Sequence, residues 1–537
     1  MKKFFNTAGP VNQAEHYKID PLHRWNLQEI LTLIEQRKYF NLYAPRQTGK
    51  TSSLLALAEY LNHEGRYLAV YVNFEVAQAA RNDIQAGINA VLDELKNRLA
   101  AVLQALAYDA AHIMPQIVAA SLATVAENGL NAVLTVLCQL LHKPLVLLID
   151  EIDALVGDTL VSVLRQLRSG YDKRPDLFPS TVLLCGVRDI KDYRIHRSGQ
   201  DIITGGSAFN IKAKSLRLGN FTQDDIQQLY QQHSQETGQV FTQECLDLVW
   251  TYTRGQPWLV NALANEVVYE IPENRDPSVV INADKIREAK ERLVLSRQTH
   301  LDQLADKLSE DRVRRVVLPL LTGEPVQPEK DDEQYCVDLG LIRLGDRGLV
   351  ISNDIYQEII PRELTEAQQR NFLNQFSPDW LKPDGSIDVQ ILLSMFRDFW
   401  RENADIWASH IAGYQEAAPQ LVTQAFLQRV ANGNGYLSRE YAAGRRRTDL
   451  MLQWKYQKSG KNVNQKIVME LKVYKEKDNL DKLKQQALTQ TAEYARICSC
   501  GEAHILIFDR TGKTDWKLKD YNELIEHDGV KLQVWGF

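Results

Sequence analysis

Two groups of residues near opposite ends of this 537-residue chain have the types and spacing for chemistry on phosphates. The first is Ala44-Pro45-Arg46-Gln47-Thr48-Gly49-Lys50-Thr51, followed further on by Leu145-Val146-Leu147-Leu148-Ile149-Asp150-Glu151. The loop follows the pattern G-x-x-x-x-G-K-[ST] with Ala44 in place of the first glycine, a mild departure because alanine is also small. Backbone N–H groups of such a loop cradle phosphate oxygens, and a helix opening near Lys50 turns its positive dipole end toward them. Lys50 neutralises the terminal phosphates and Thr51 offers a hydroxyl to Mg2+. Asp150, at the end of an apolar strand, would hold the same ion through water, and Glu151 would orient the attacking water. Leu183-Leu184-Cys185-Gly186-Val187-Arg188-Asp189 sets Arg188 at another strand end, where it could sense a terminal phosphate or be a plain surface arginine.

The second group is Asp449, after Arg445-Arg446-Arg447-Thr448, with Glu470-Leu471-Lys472 inside the apolar run 466–473. Strand alternation puts Glu470 and Lys472 on one face, and Asp449 can join them if the two strands pair. Two carboxylates can bind Mg2+ or Mn2+, the metal polarises a phosphate, and Lys472 positions or activates water. A plainer account is an exposed strand in which Glu470 pairs with Lys472 or Lys475. Arg445, Arg446, Arg447, Lys455, Lys458, Lys461 and Lys466 make the segment locally basic. That suits phosphate contacts, and it equally suits a strand edge kept soluble by charge.

These residues need elements to hold them. Residues 22–35 read as an amphipathic helix and 40–43 as a short strand. A Leu- and Ala-rich helix follows the loop over 52–62, and 67–74 is a second apolar strand. Strand, loop, helix, strand is the order a phosphate-loop fold requires. Residues 77–141 read as two or three inserted helices. The strands 145–150 and 181–186 complete a parallel sheet with both faces covered. Residues 221–300 are helical. Residues 302–365 read as short helices and a hairpin about Gly345-Asp346-Arg347-Gly348, a winged-helix outline. Its Arg343, Arg347 and Arg362 could meet a phosphate backbone, whereas Asp331, Asp332 and Glu333 oppose that and favour an intramolecular clamp. A helical connector with Trp380, Trp400 and Trp407 spans 366–411. Strands dominate from 412 onward.

The loop, the Asp150-Glu151 strand, Gly186-Val187-Arg188-Asp189 and Gly255-Gln256-Pro257-Trp258-Leu259-Val260-Asn261 together resemble the archaeal-type ATPases of the AAA+/STAND group. That resemblance covers roughly residues 20–365. It implies ATP as ligand, a lid subdomain whose helix opens at the G-x-P turn, a winged helix after it, and a regulated switch. Gly255 and Pro257 also read simply as a turn before a helix. Asp449, Glu470 and Lys472 resemble the PD-(D/E)XK nuclease superfamily, in the versions fused to bacterial ATPases. The resemblance implies a downstream helix, matched by Gln485, Gln486, Gln490 and Tyr494 at helical spacing, and then the strand 504–508. The glutamate that the superfamily often carries in the preceding helix is replaced by Gln424, with Glu416 just upstream.

Composition bounds the rest. A net charge of −6 excludes a globally basic, DNA-coating protein, and 44% hydrophobic content leaves room for several cores. Cys498-Ser499-Cys500 lacks the further ligands of a zinc site, and the six scattered cysteines suit a reducing cytosol. The apolar start Met1-Lys2-Lys3-Phe4-Phe5 ends at Asn6, so no secretion signal is expected. The expectation is an α/β multidomain chain. It has a P-loop ATPase core at 1–220, a helical lid at 221–300, a winged-helix-like module at 301–365, a connector at 366–411 and a nuclease-like domain at 412–537. Its function would be an ATP-gated, metal-dependent DNA endonuclease in the cytoplasm, oligomeric and off the membrane. Defence against foreign DNA follows by analogy alone. The alternative is a signalling or assembly ATPase whose C-terminal domain only binds nucleic acid or a partner.

Overall fold

The computed structural model describes residues 3–190, 194–196, 202–295, 307–308, 310–322, 329–345, 348–364, 379–402, 418–443, 446–458, 461–475, 478–511 and 516–537. The chain divides into two compact units. The first is Met1–Ser296 with Glu333–Arg343, and the second is Arg297–Asp332 with Leu344–Phe537.

The first unit is built on a five-stranded parallel sheet. Its order is Leu68–Asn73, Leu145–Asp150, Thr181–Gly186, Tyr39–Tyr43, Lys212–Arg217. Apolar residues dominate the inner strands, as burial on both faces requires, with Asn41 a buried polar exception. Alternate residues then feed two separate cores. Val70, Leu147, Ile149 and Leu184 face one core, packed by the helices Ile84–Ala105, Ala126–Leu140 and Gly157–Ser169. Tyr71, Val146, Leu148 and Leu183 face the other, packed by Leu27–Glu35 and Lys50–Glu64. Three helices, the third being Ala110–Leu122, fill the insertion between the second and third strands in sequence. The helix expected over 22–35 is split: a short 3-10 turn at Pro21–Arg24, then the helix from Leu27, capped by the Asn26 side chain. The break falls at Trp25, whose backbone is extended, and Asn26.

The helical part of this unit begins at Gln223–Thr237, whose Thr222 and Asp225 form a reciprocal capping box. Gln243–Thr253, Pro257–Asn265 and Ala283–Leu295 follow. The N-terminal segment is tied to these helices. Phe5 is buried against Tyr17, Tyr230 and His233, and the Trp258 indole N–H donates to the Thr7 carbonyl at 2.8 Å.

The second unit carries a six-stranded mixed sheet in the order Gly435–Ala443, Arg446–Lys458, Lys461–Tyr474, Glu502–Asp509, Val530–Gly536, Asn522–His527. The first three strands form an antiparallel meander. Lys461–Tyr474 and Glu502–Asp509 are parallel and joined by the helix Leu480–Ile497. That helix buries Ala487, Leu488 and Ala492 on Val468, Ile505 and Ile507. Phe396 and Trp400, on the helix Val389–Glu402 within the stretch expected as a connector, pack on Phe508, with ring centroids 6.4 Å and 4.9 Å away. Trp380 meets Trp454 edge-on at 5.7 Å. Trp407, Glu416, Arg445 and Arg347 lie outside the described residues.

Two short strands, Ile342–Gly345 and Gly348–Ile351, form the expected hairpin. Asp332, one of the acids expected to oppose a phosphate backbone, is buried and accepts from Arg315 at 2.9 Å, with Arg312 at 3.3 Å. Its charge is used internally. Among the described residues no helix is long and apolar enough to cross a membrane.

Candidate nucleotide site and C-terminal acidic site

The phosphate loop joins the strand Tyr39–Tyr43 to the helix Lys50–Glu64. Gln47 and Gly49 take positive φ values of 55° and 88°, which bends the chain over the start of the helix. The Thr48 hydroxyl donates to the Pro45 carbonyl at 2.7 Å and closes the loop on itself. Lys50 is buried, and its ammonium donates to the Ala44 and Pro45 carbonyls, each at 3.0 Å. Arg46 and Gln47 are exposed at the crest. The Ala44 N–H donates to the Gly186 carbonyl at 3.2 Å, so the loop is anchored to the strand that leads to Arg188.

Sheet register brings the acidic strand end to this loop. The Thr51 hydroxyl donates to Asp150 Oδ2 at 2.7 Å, and the Tyr71 hydroxyl donates to the same oxygen at 3.1 Å. The Glu151 N–H donates to Asp150 Oδ1 at 3.0 Å. Asp150 is fully buried with both oxygens fixed. A hydroxyl and a carboxylate meeting edge to edge are the hard oxygen donors that Mg2+ prefers, so the donor set fits that ion. Glu151 adopts φ 52°, an uncommon conformation for a residue with a side chain. Burial, then the nearby Asp153 carboxylate, pushes its pKa up to about 7.

Arg188 lies two residues beyond the strand Thr181–Gly186. Its guanidinium stacks 4.8 Å from the Tyr335 ring centroid and pairs with Asp338 at 3.6 Å. Asp338 is buried and also accepts from Gln334 at 2.8 Å. The Val337 carbonyl accepts from Arg217 at 3.1 Å. Gly340, at φ 75°, leaves no room for a side chain: a Cβ there would fall 2.7 Å from Pro45 Cγ in the loop. The segment 333–343 therefore sits directly on the loop and on the arginine expected to sense phosphate.

Beside the loop a cavity is lined by Thr7, Gly9, Arg24, Gly49, Trp258 and Asn261. The first residues of the chain and the Pro257–Asn265 helix thus share one wall of the site. Pro257 opens that helix after a Gly255 in the left-handed region, as the G-x-P turn implied. The sequence reading did not find Tyr71, Asp153, Asp338 or Arg24. Only Tyr71 left a trace, as a polar-tipped residue in an otherwise apolar strand.

In the second unit Glu470 is buried, and Lys472 donates to its Oε1 at 2.8 Å. The face shared by these two residues was expected from alternation. Leu450 pairs with Met469, so the segments carrying Asp449 and Glu470 run side by side. The Asp449 side chain lies outside the described ones. Gln424 is buried on the helix Ala418–Asn434, and its Oε1 finds no hydrogen-bond donor among the described residues. On the helix Leu480–Ile497, Gln490 is exposed and Tyr494 is buried.

A family model described as AAA-like domain matches residues 26–361. Among solved structures, similarity extends to a Walker-type ATPase of Pyrococcus abyssi at 13% identity, covering 66% of this chain and 99% of that one, with a TM-score of 0.43. The Cdc6p structure from Pyrobaculum aerophilum aligns at 15% identity over 64% and 93% of the two chains, with a TM-score of 0.35. The RuvB Holliday junction branch migration motor of Thermotoga maritima aligns at 13% identity over 64% and 98%, with a TM-score of 0.33. No curated protein matches the chain.

Proposed function

This chain belongs to the AAA-like domain family, and on that premise we propose that it is an ATP-controlled switch whose output is metal-dependent cutting of DNA by its C-terminal domain. The observation that carries the ATP part is the Thr51–Asp150 contact at 2.7 Å, with buried Lys50 on the same loop. Lys50 would turn from the Ala44 and Pro45 carbonyls to the phosphates. Thr51 and Asp150 would hold Mg2+, which supplies charge neutralisation when bound. Glu151 would orient and deprotonate water, and Arg188 would meet the terminal phosphate. Glu151→Gln should slow hydrolysis roughly a hundredfold or more while sparing binding, the usual size of a lost general base. A phosphate-release assay beside calorimetry tests it.

For the output, the order of elements supports the nuclease reading. A helix precedes the acidic strands, a helix follows them, and a parallel strand comes next. Asp449 and Glu470 would bind Mg2+ or Mn2+, and Lys472 would position water. Incubation with plasmid and linear DNA, with each metal and with or without ATP, is the direct test. Oligomerisation and a defence role are further expectations of this reading, and a mass measurement with and without nucleotide tests the first.

A second reading, a signalling ATPase held off by its own chain, is favoured by one contact: Asp338 on Arg188 at 3.6 Å. Attraction to this buried carboxylate and stacking on Tyr335 would hold the guanidinium back from a phosphate. Asp338→Asn removes the charge and keeps the shape. It should raise basal ATP hydrolysis several-fold, and Arg188→Ala in the same chain should cancel the rise. An unchanged or lower rate in Asp338→Asn would remove the clamp from the account.

A further inference from the structure

Arg24 is a cation in an unusual place. It lies at the end of the 3-10 turn Pro21–Arg24, upstream of the phosphate loop. One terminal nitrogen donates to the carbonyl of Thr48 in the loop, and the other donates to the carbonyl of Gly219. The guanidinium carbon lies 4.9 Å from the Phe221 ring centroid. Among the described residues no carboxylate stands within ion-pair distance, and Nε has no acceptor. Burial draws the Arg24 pKa down to about 10, against the attraction of Asp225 from further off. A half-buried guanidinium held by two neutral carbonyls, with no carboxylate within ion-pair distance among the described residues, is placed at a desolvation cost.

The two carbonyls belong to different parts of the site. Thr48 sits immediately before Gly49 and Lys50, in the stretch that closes on phosphate. A side chain at Gly49 would put its Cβ 2.7 Å from Arg24 Nη1, so the bare glycine leaves the guanidinium its seat. Gly219 and Phe221 lie in the link from the strand Lys212–Arg217 to the helix Gln223–Thr237. The Phe221 N–H donates to the Gly255 carbonyl at 2.8 Å, and Gln256 beyond it reaches the Gln47 carbonyl at 3.4 Å. Arg24 also lines the cavity shared by the loop and Asn261. We propose that Arg24 is a positioning residue, a pin that fixes the phosphate loop to the hinge of the helical lid, so that filling the loop and placing the lid become one event. The negative phosphates would supply the missing counter-charge, and the guanidinium fork would pass the loop's rearrangement to Gly219. Lysine would carry the charge, but its single ammonium lacks the planar fork by which two separate guanidinium nitrogens each hold one carbonyl.

The inference rests on ATP binding at this loop, and the test separates the two. Full-length wild type, Arg24→Lys and Arg24→Met are compared by calorimetry with ATP, and by hydrogen exchange with and without saturating ATP. Wild type should bind ATP and show slowed exchange both at the loop and at residues 219–223 and 255–258. Arg24→Met should bind about tenfold more weakly and Arg24→Lys less weakly than that. In both, ATP should protect the loop but leave the hinge as exposed as without nucleotide. Failure of wild type to bind ATP would overturn the nucleotide site itself. Equal hinge protection in the variants, or none in wild type, would overturn the pin alone. If Arg24→Met does not fold, as judged by circular dichroism, Arg24→Lys decides. A folded variant that binds no ATP would overturn the pin in favour of a direct phosphate contact.

Discussion

Lys50→Ala is expected to weaken ATP binding at least tenfold, about 1.4 kcal/mol. The side chain is buried and its ammonium rests on two neutral carbonyls, Ala44 and Pro45, each at 3.0 Å. Triphosphate oxygens would be negatively charged acceptors in the same place, adding ion–ion attraction to what the ammonium gains from neutral carbonyls. The exchange of partners is therefore the source of affinity, and it depends on the ammonium alone. Lys50→Met keeps most of the aliphatic stem and its packing while removing the charge, so it should lose affinity as Lys50→Ala does but melt close to wild type without nucleotide. Calorimetry that shows unchanged ATP affinity in both variants would refute the site. A loss in Lys50→Ala with none in Lys50→Met would assign the effect to packing.

The parts of this site that sequence made legible are contiguous. Ala44 to Thr51 must follow a strand and open a helix to work, and both flanking elements carry their own apolar pattern. The strand Leu145–Asp150 is readable for the same reason, since burial on both faces leaves an uninterrupted apolar run ended by charge. Glu470 and Lys472 share a face because strand alternation is geometric. What sequence hid are the contacts made across long separations. Tyr71 reaches Asp150 because two parallel strands happen to be in register. Asp338 reaches Arg188 through a segment that returns to the first unit after the chain has left it. Arg24 gave no signal at all, because two backbone carbonyls have no residue type to read. The helix Val389–Glu402 was legible as a helix, but its destination on Phe508 was not, since an amphipathic face says that it is covered and not by what.

The largest effect in the C-terminal unit should come from Glu470. Its carboxylate is buried beside Lys472, and a buried carboxylate with one lysine on one oxygen can serve either as half of a structural ion pair or as a metal ligand. The two roles predict opposite results. If the pair is structural, Glu470→Gln removes the carboxylate 2.8 Å from the half-buried Lys472 ammonium. Stability then falls, by less than the roughly 3–5 kcal/mol of a fully buried pair because Lys472 is partly exposed, and metal has no influence on melting. If Glu470 is a ligand with Asp449, Mg2+ or Mn2+ raises the melting midpoint of wild type but not of Glu470→Gln or Asp449→Asn, and DNA cutting disappears in both variants. ATP control is then separable. Glu151→Gln should keep ATP bound and hold the chain in its ATP-bound state, so cutting should be locked on or locked off at ATP concentrations where wild type responds. A ligand shifts such an equilibrium only through different affinities for the two states, so ATP must bind one of them more tightly. Identical, ATP-independent cutting by wild type and Glu151→Gln would leave two enzymes in one chain without coupling. An absence of cutting under every metal and nucleotide condition, with no effect of metal on melting, would leave the C-terminal sheet a binding domain and make the ATPase the only enzyme present.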